Sequence, residues 1–357
     1  MSIKNLSIWQ RRLRFLLLPL AWLYGGIVFL RNRAYDSGIL RIHRLPVKVI
    51  SVGNLSAGGS GKTPITMNLA QLCQKSLRLK PAILSRGYGR SSRGYQLISG
   101  GKKPLCDWRT SGDEPQLMAR RLSGIPIAAD ADRVRGGHLL VGEFHPDLIL
   151  LDDGFQHRRL HRDLDVVLLD VRSDVDKVTL LPAGLLREPP ASLQRAHLVV
   201  LTHFEPDSST HREVWERFKA QFGEERMLAC RLRPSGCREL SSGKAFSLPA
   251  LKRKRLLAFC GIAKPEAFAE TLTGLGADLK QMIAFPDHHR YRTSDVELLA
   301  NALASTKSSY LITTEKDAVK LDDLFKALPI LVLHVDVEWI RGGANVERAI
   351  KRLFNKE

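Results

Sequence analysis

The sequence predicts an α/β fold: a mostly parallel sheet covered by helices, a second and smaller α/β unit after it, and an apolar helix in front. Three observations carry that prediction. From residue 47 onward, short apolar runs alternate with helical patterns, as buried parallel strands joined by crossover helices do. The first such run passes directly into a glycine-rich loop and a helical stretch. Ahead of all this, residues 15–30 form an apolar run edged by arginines.

The leading run reads FLLLPLAWLYGGIVFL, with Arg11, Arg12 and Arg14 before it and Arg31 and Arg33 after. As a helix its 16 residues reach about 24 Å, short of the ~30 Å hydrocarbon core. Pro19 and the pair Gly25-Gly26 further weaken a straight spanning helix. A signal peptide would place small residues after the run, where Arg31-Asn32-Arg33 stands instead. Basic residues on both flanks, with Trp22 and Tyr24 inside, suit a segment that dips into one leaflet of an anionic surface. Residues 1–35 are therefore expected to be a membrane-anchoring helix; a buried core helix is the competing reading.

The strands are expected at 47–52, 82–84, 125–129, 148–151, 166–169 and 198–201, then at 256–259, 310–312 and 330–333. A helical pattern covers 63–74. Between the two groups, residues 231–255 are rich in Ser, Gly, Pro and basic side chains, the composition of a connection. The expected units are thus 36–235 and 236–357.

With 44% hydrophobic and 26% charged residues the chain has material for a sizeable core. Its 55 basic and 37 acidic residues leave a net charge of +18, which calls for an anionic partner. Aromatics are only 7%, and no RNA-binding aromatic pattern is present, so nucleic acid is not expected. The five cysteines include no C-x-x-C pair, which argues against a disulfide framework or a zinc site.

Residues 53–63 read GNLSAGGSGKT. Gly61, Lys62 and Thr63 match the end of the phosphate-loop pattern G-x-x-x-x-G-K-[ST], while Ser56 stands where the first glycine belongs. Gly58, Gly59, Ser60 and Gly61 let backbone N–H groups approach phosphate oxygens, and the helix N-terminus behind them favours negative charge. Lys62 would reach the terminal phosphates and Thr63 would ligate Mg²⁺. This makes the first unit P-loop NTPase-like, with ATP and Mg²⁺ as expected cofactors. The strand at 148–151 ends in Asp152-Asp153-Gly154, placing carboxylates at the edge where ligands collect in open α/β sheets. Adjacent strand residues point to opposite sides, so the two aspartates are expected to differ in role. Gln156 and His157 either bind substrate or serve as loop residues. Arg86, Arg90 and Arg133 are candidates for forked contacts to phosphate, and His161 and His289 read as ordinary polar residues.

Eight blocks now carry a resemblance: SVGNLSAGGSGKTP (51–64), SRGYGR (85–90), SGDEP (111–115), LDDGFQHRRL (151–160), LLPAGLLREP (180–189), FCGIAKPEAF (259–268), FPDHHRY (285–291) and TTEKDAVKL (313–321). In this order, and nearly end to end, the chain resembles the tetraacyldisaccharide 4'-kinases, the lipid A 4'-kinases, whose loop also carries a small hydroxyl residue at the position of Ser56. The resemblance implies ATP- and Mg²⁺-dependent phosphorylation of the 4'-hydroxyl of a tetraacylated glucosamine disaccharide 1-phosphate. It also implies attachment to the inner membrane through the N-terminal helix, for which the basic flanks read above favour monotopic attachment at the cytoplasmic face. Carried over by position, Asp113 acts as base with His288 assisting, Lys62 and Thr63 take the phosphate-loop roles, and Asp152, Asp153, Gln156 and Glu188 form the metal and polar set. Taken alone, Asp113 would read as a helix cap. The expected partners are an anionic glycolipid and a membrane surface, with the protein a monomer. The alternative is a P-loop ATPase or switch that binds membranes without a lipid acceptor; a guanine-reading N/T-K-x-D motif is not met by Thr314-Glu315-Lys316-Asp317, where Lys and Asp are adjacent.

Overall fold

The computed structural model of the chain describes residues 8–172, 178–321 and 323–355. A long helix, α1 (Ile8–Asp36), comes first. Then follow β1 (Lys48–Asn54), α2 (Lys62–Gln71), β2 (Pro81–Ser85), β3 (Gln96–Gly100), α3 (Trp108–Ser111), α4 (Asp113–Arg121), β4 (Pro126–Ala129), α5 (Arg133–Phe144), β5 (Leu148–Asp152), β6 (Leu164–Asp170), β7 (Leu198–Thr202) and α6 (Ser209–Phe222). The remainder is β8 (Met227–Glu239), β9 (Ala245–Phe246), β10 (Arg255–Cys260), α7 (Pro265–Gly274), β11 (Asp278–Ala284), α8 (Thr293–Ser305), β12 (Tyr310–Thr314), α9 (Glu315–Ala318), β13 (Ile330–Arg341) and α10 (Gly343–Leu353).

One sheet runs through the described residues in the order β11-β10-β12-β13-β8-β7-β6-β1-β5-β2-β4-β3, with β9 on β8. Every expected strand is present. The apolar strands β1, β5, β6 and β7 are buried along nearly their whole length and pair in parallel. One face packs Ile50, Val52, Leu148 and Leu150 against Ile65 and Leu69 of α2 and Met118 of α4. The other packs Val49, Leu84 and Leu151 near Leu140 of α5, and Val167 and Val199 near Trp215 and Phe218 of α6. The β10–β13 half has its own cores, around Leu272 of α7 and Leu299 of α8.

The stretch expected to be a connection differs most. Its first nine residues continue β8, which pairs antiparallel with β13 along nearly its full length. The composition misled because this strand is only partly buried after Cys230. Ser235 is also skipped in the pairing, a bulge of the kind that accommodates Pro234 and Gly236 in a strand. This ribbon sets the geometry of the molecule. At one end residues Met227 to Ala229 extend the parallel sheet beside β7; at the other, Ile330 to Leu333 extend the second half-sheet beside β12. Because β8 and β13 run oppositely, the carboxyl ends of the two half-sheets point toward each other. About eight ribbon residues, roughly 25 Å of extended chain, separate them. Arg121 of α4 spans the gap to Glu315 of α9 (2.6 Å) and Asp336 of β13 (2.5 Å), and Trp339 donates from Nε1 to Asn68 Oδ1 of α2 (3.1 Å).

α1 is longer than the apolar run suggested and continues through Pro19; it contains a stretch, Phe15–Asp36, long and apolar enough to cross a membrane by length and composition. The side chains of Arg11, Arg12 and Arg14 lie outside the described residues. The glycine pair is a seat rather than a break: a Cβ on Gly25 would lie 2.8 Å from Leu180 Cδ1. Ala21 and Val28 are buried on the same side, whereas Phe15, Leu16, Leu20, Trp22, Leu23, Ile27, Phe29 and Leu30 are exposed. The helix is tied down by polar contacts: Tyr24 Oη donates to Arg187 O (2.9 Å), and Arg158 donates to Asn32 O (2.9 Å) and Asp36 (2.6 Å).

A close approach beside the phosphate loop gives a stability test. A Cβ on Gly53 would meet Phe155 Cβ at 2.5 Å and its backbone N at 2.8 Å. Gly53→Ala should lower unfolding stability by about 1–3 kcal/mol, read from urea midpoints; an unchanged midpoint would contradict this packing.

Candidate active site

The carboxyl edge of the first half-sheet gathers the phosphate loop and the paired aspartates. Asn54 ends β1 and donates from Nδ2 to Ser60 Oγ (2.8 Å), while Lys62 Nζ donates to Asn54 Oδ1 (3.2 Å). Asn54 thus ties both ends of the loop together. Gly58 and Gly61 take positive φ of 112° and 83°, conformations open to glycine, and Gly61 caps α2. Thr63 and Ser60 are buried.

Asp152 and Asp153 have different partners. Asp152, at the end of β5, accepts from the Thr66 hydroxyl (3.2 Å) and the Ser85 hydroxyl (3.5 Å). Burial pushes its carboxyl up to about 7, with the Glu114 and Asp153 charges adding to the shift. Asp153, in the left-handed region at φ 54°, accepts two hydrogen bonds from Arg187 Nη1 (2.9 Å each) and lies 3.5 Å from Lys62 Nζ. Burial would raise its pKa too, but Lys62 and Arg187 outweigh it and hold the group ionised below the ordinary value. Gln156 donates to Asn54 O (2.9 Å), leaving its buried Oε1 without a partner. Arg133 is buried nearby; desolvation, with Arg86 adding, lowers its guanidinium to about 10, and its Nε has no partner.

On the same half-sheet, Asp113 opens α4 and is buried. Its Oδ2 lies 2.8 Å from His288 Nδ1, across 175 residues of sequence and from one half-sheet to the other. His288 follows β11 and has φ 60°, held by backbone bonds to Gly261 O (3.2 Å) and Asp287 Oδ1 (3.0 Å). Burial alone would raise Asp113, but the His288 hydrogen bond and the Lys316 charge prevail, keeping it below the usual carboxylate range. The same hydrogen bond raises His288.

The sequence profile of the tetraacyldisaccharide-1-P 4'-kinase family matches residues 13–355. The chain belongs to this family. It is 40% identical to the tetraacyldisaccharide 4'-kinase of Aquifex aeolicus, over 87% of this chain and 90% of that one. It is 39% identical to the enzyme of that name from Syntrophus aciditrophicus, over 87% and 85%. The crystal structure of "apo" form LpxK from Aquifex aeolicus in complex with ATP superposes with a TM-score of 0.77 at 35% identity, covering 96% of this chain and 99% of that one.

In this tetraacyldisaccharide 4'-kinase family member the structure brings together Lys62, Asp153 and the phosphate loop, with Asp152 beside them, and it brings Asp113 to His288. Glu188 faces elsewhere. It is fully buried, and its carboxylate is taken by Arg195 (2.9 Å), Asn32 (2.9 Å) and Arg31 (3.3 Å), so it holds α1. Arg90 donates to Ala129 O (3.0 Å) and Gly94 O (2.5 Å) and shapes its own loop rather than offering a free fork. His289 bonds Asp295 (2.9 Å) and stacks on Phe285, a structural role as expected. Sequence reasoning passed over Asn54, Arg187 and Lys316. All three lie inside or beside the quoted blocks, but only the fold shows what they face.

The dyad gives a pH test. His288 is raised in the folded state, so its contribution is fully present below its unfolded pKa and fades as pH rises through the folded one. Asp113 is lowered, so its contribution fades only in strong acid. The stability lost on His288→Gln should therefore be greater at pH 5 than at pH 9; equal losses in urea unfolding at both would contradict the contact.

Proposed function

We propose that this chain transfers the γ-phosphate of ATP to the 4'-hydroxyl of a tetraacylated glucosamine disaccharide 1-phosphate. The transfer takes place at the cytoplasmic face of the inner membrane, on which α1 lies without crossing. The observation that carries the reading is the Asp113–His288 contact, formed where the carboxyl edge bearing the phosphate loop faces the opposite edge. Asp113 accepts the proton of the attacking hydroxyl while ADP departs. Its lowered pKa keeps it ionised and ready, and a loose transition state asks for little early deprotonation. His288 orients the carboxylate. Lys62 and the loop N–H groups neutralise phosphate charge, and the buried Arg133, whose burial Asp153, Asp152 and Asp130 only partly offset, adds a further cation.

The residues fit Mg²⁺. Asp152 is a buried carboxylate with only hydroxyl partners among its hydrogen bonds, and Thr63, Asp153 and Gln156 Oε1 are further hard oxygens. Among the described residues there is no group of three or more His, Cys, Asp or Glu that would cage an ion, which suits a metal that keeps water and phosphate ligands. Bound there, Mg²⁺ neutralises charge on the phosphate oxygens. Glu188 is left out of this set because its carboxylate is held by Arg31 and Asn32 of α1 and by Arg195, not by groups of the phosphate loop.

Lys62→Ala should cut transfer on the order of 10²-fold or more; near-normal turnover in the folded variant would sink the phosphate-loop role. Asp113→Asn should lower kcat/KM for the lipid acceptor by about 10²–10⁴ with ATP affinity little changed. Adding His288→Ala should then cost little more, as for groups acting as a unit. Fully additive losses would remove the pair from this role.

The exposed apolar face of α1 supports the membrane setting. Leu23→Asp with Ile27→Asp, both on that face, should shift the protein from the membrane pellet to the supernatant. High salt should release the unaltered protein only in part, since salt screens basic contacts but not apolar burial. Protease cleavage accessible from both sides of the bilayer would overturn the non-crossing reading.

A further inference from the structure

We propose that Lys316 is a positioning residue for the transfer: it fixes the His288 imidazole in the tautomer whose proton sits on Nδ1, facing Asp113. This rests on Asp113 as proton acceptor.

Lys316 is the second residue of α9, and its side chain is largely buried. Its Nζ lies 3.4 Å from His288 Nε2, 3.6 Å from Asp287 Oδ1 and 4.0 Å from Asp113 Oδ2. An ammonium can only donate, so Nε2 must present its lone pair. The ring proton is then on Nδ1, 2.8 Å from Asp113 Oδ2, and Nδ1–H donates to a carboxylate that must be ionised to accept. One cation thereby settles two protonation states. Were His288 the other tautomer, Nδ1 would present a lone pair to the carboxylate and Nε2–H would point at an ammonium, two repulsions at once.

The chain on either side of Lys316 is pinned. Glu315 is gripped by Arg121 (2.6 Å) and His334 Nδ1 (2.6 Å). Asp317 is fully buried, pairs with buried Lys320 (2.9 Å) and accepts from the Thr314 hydroxyl (2.7 Å). The lysine between them is set in place from both neighbours.

The charges facing this group come from several elements: Asp113 and Glu114 of α4, Asp287 in the loop after β11, Asp317 and Lys320 from α9 and the turn beyond it. Burial would strip Lys316 of its proton, but Asp113, Glu114, Asp287 and Asp317 keep it charged. Without it, carboxylates stand near both ring nitrogens, since Asp287 Oδ1 is 4.0 Å from Nε2. An imidazolium is then favoured and its charge lowers the readiness of Asp113 to take a proton.

Side-chain ¹⁵N spectra at pH 8, with the His288 signals assigned by their loss in His288→Gln, should show the Nδ1–H tautomer in the unaltered protein. In Lys316→Met, removal of the cation makes His288 easier to protonate, and the imidazolium that forms makes Asp113 a poorer proton acceptor. The acid limb of kcat/KM for the lipid acceptor should then move to higher pH by about one unit, with the Nδ1–H signature lost. Lys316→Arg keeps the charge and should keep the limb in place, which a role in packing alone would not require. An Nε2–H tautomer in the unaltered protein, or an unmoved limb in Lys316→Met, overturns the proposal. Asp113→Asn, assayed alongside, separates the two readings. If it is inactive while Lys316→Met leaves the limb in place, Lys316 alone falls. If it transfers phosphate as the unaltered protein does, the proton-acceptor reading falls and the role of Lys316 with it.

Discussion

The antiparallel pairing of β8 with β13 is the constraint on which the site depends. Two parallel half-sheets laid side by side in the usual way would both collect ligands on the same edge. Reversing the chain at a shared ribbon turns the second half round, so that its ligand-collecting edge looks back at the first. Nucleotide-binding groups on one edge and the histidine on the other then converge without either half departing from ordinary parallel packing. Arg121 reinforces the arrangement by joining α4, which begins with Asp113, to α9, which carries Lys316.

The site is also a balance of charge under burial. Asp113, Asp152 and Asp153 are all largely withdrawn from water, where an isolated carboxylate would be neutralised. They diverge because their neighbours diverge. Asp153 has Lys62 and Arg187 and stays ionised. Asp113 has His288 and Lys316 and does the same. Asp152 has two hydroxyls and two other acids nearby, burial dominates, the Lys62 charge does not offset it, and the group is raised instead. Two of the residues involved, Asp153 and His288, adopt left-handed backbone conformations, which non-glycine residues keep only where surrounding contacts over-determine them. Both are held by just such contacts.

Much of this was legible in the sequence. The continuous apolar strands announced a parallel sheet because burial on both faces leaves no room for alternation. The glycine loop followed by Lys62-Thr63 announced a phosphate site because few other reasons demand that spacing. The ribbon was not legible: a strand with partly exposed faces, carrying Pro234 and Gly236, has the composition of a loop. β11 escaped for a related reason, being polar and only partly buried. The partners that hold Glu188 and Arg90 were not legible, because a carboxylate or guanidinium looks equally available in a sequence whether or not other groups already saturate it. The Asp113–His288 contact came from resemblance, since nothing local in either segment points to the other.

Arg187 and Glu188 are neighbours in the chain, yet one holds Asp153 beside the phosphate loop and the other holds Arg31 and Asn32 of α1. Tyr24 adds a bond to the carbonyl of Arg187 itself. The helix is therefore not a generic apolar segment that any other could replace. A substitute would have to offer donors like those of Arg31 and Asn32 at the same turn, and a small residue where Gly25 meets Leu180. Lacking them, it would leave a buried carboxylate with Arg195 alone, one peptide unit away from the arginine that steadies Asp153.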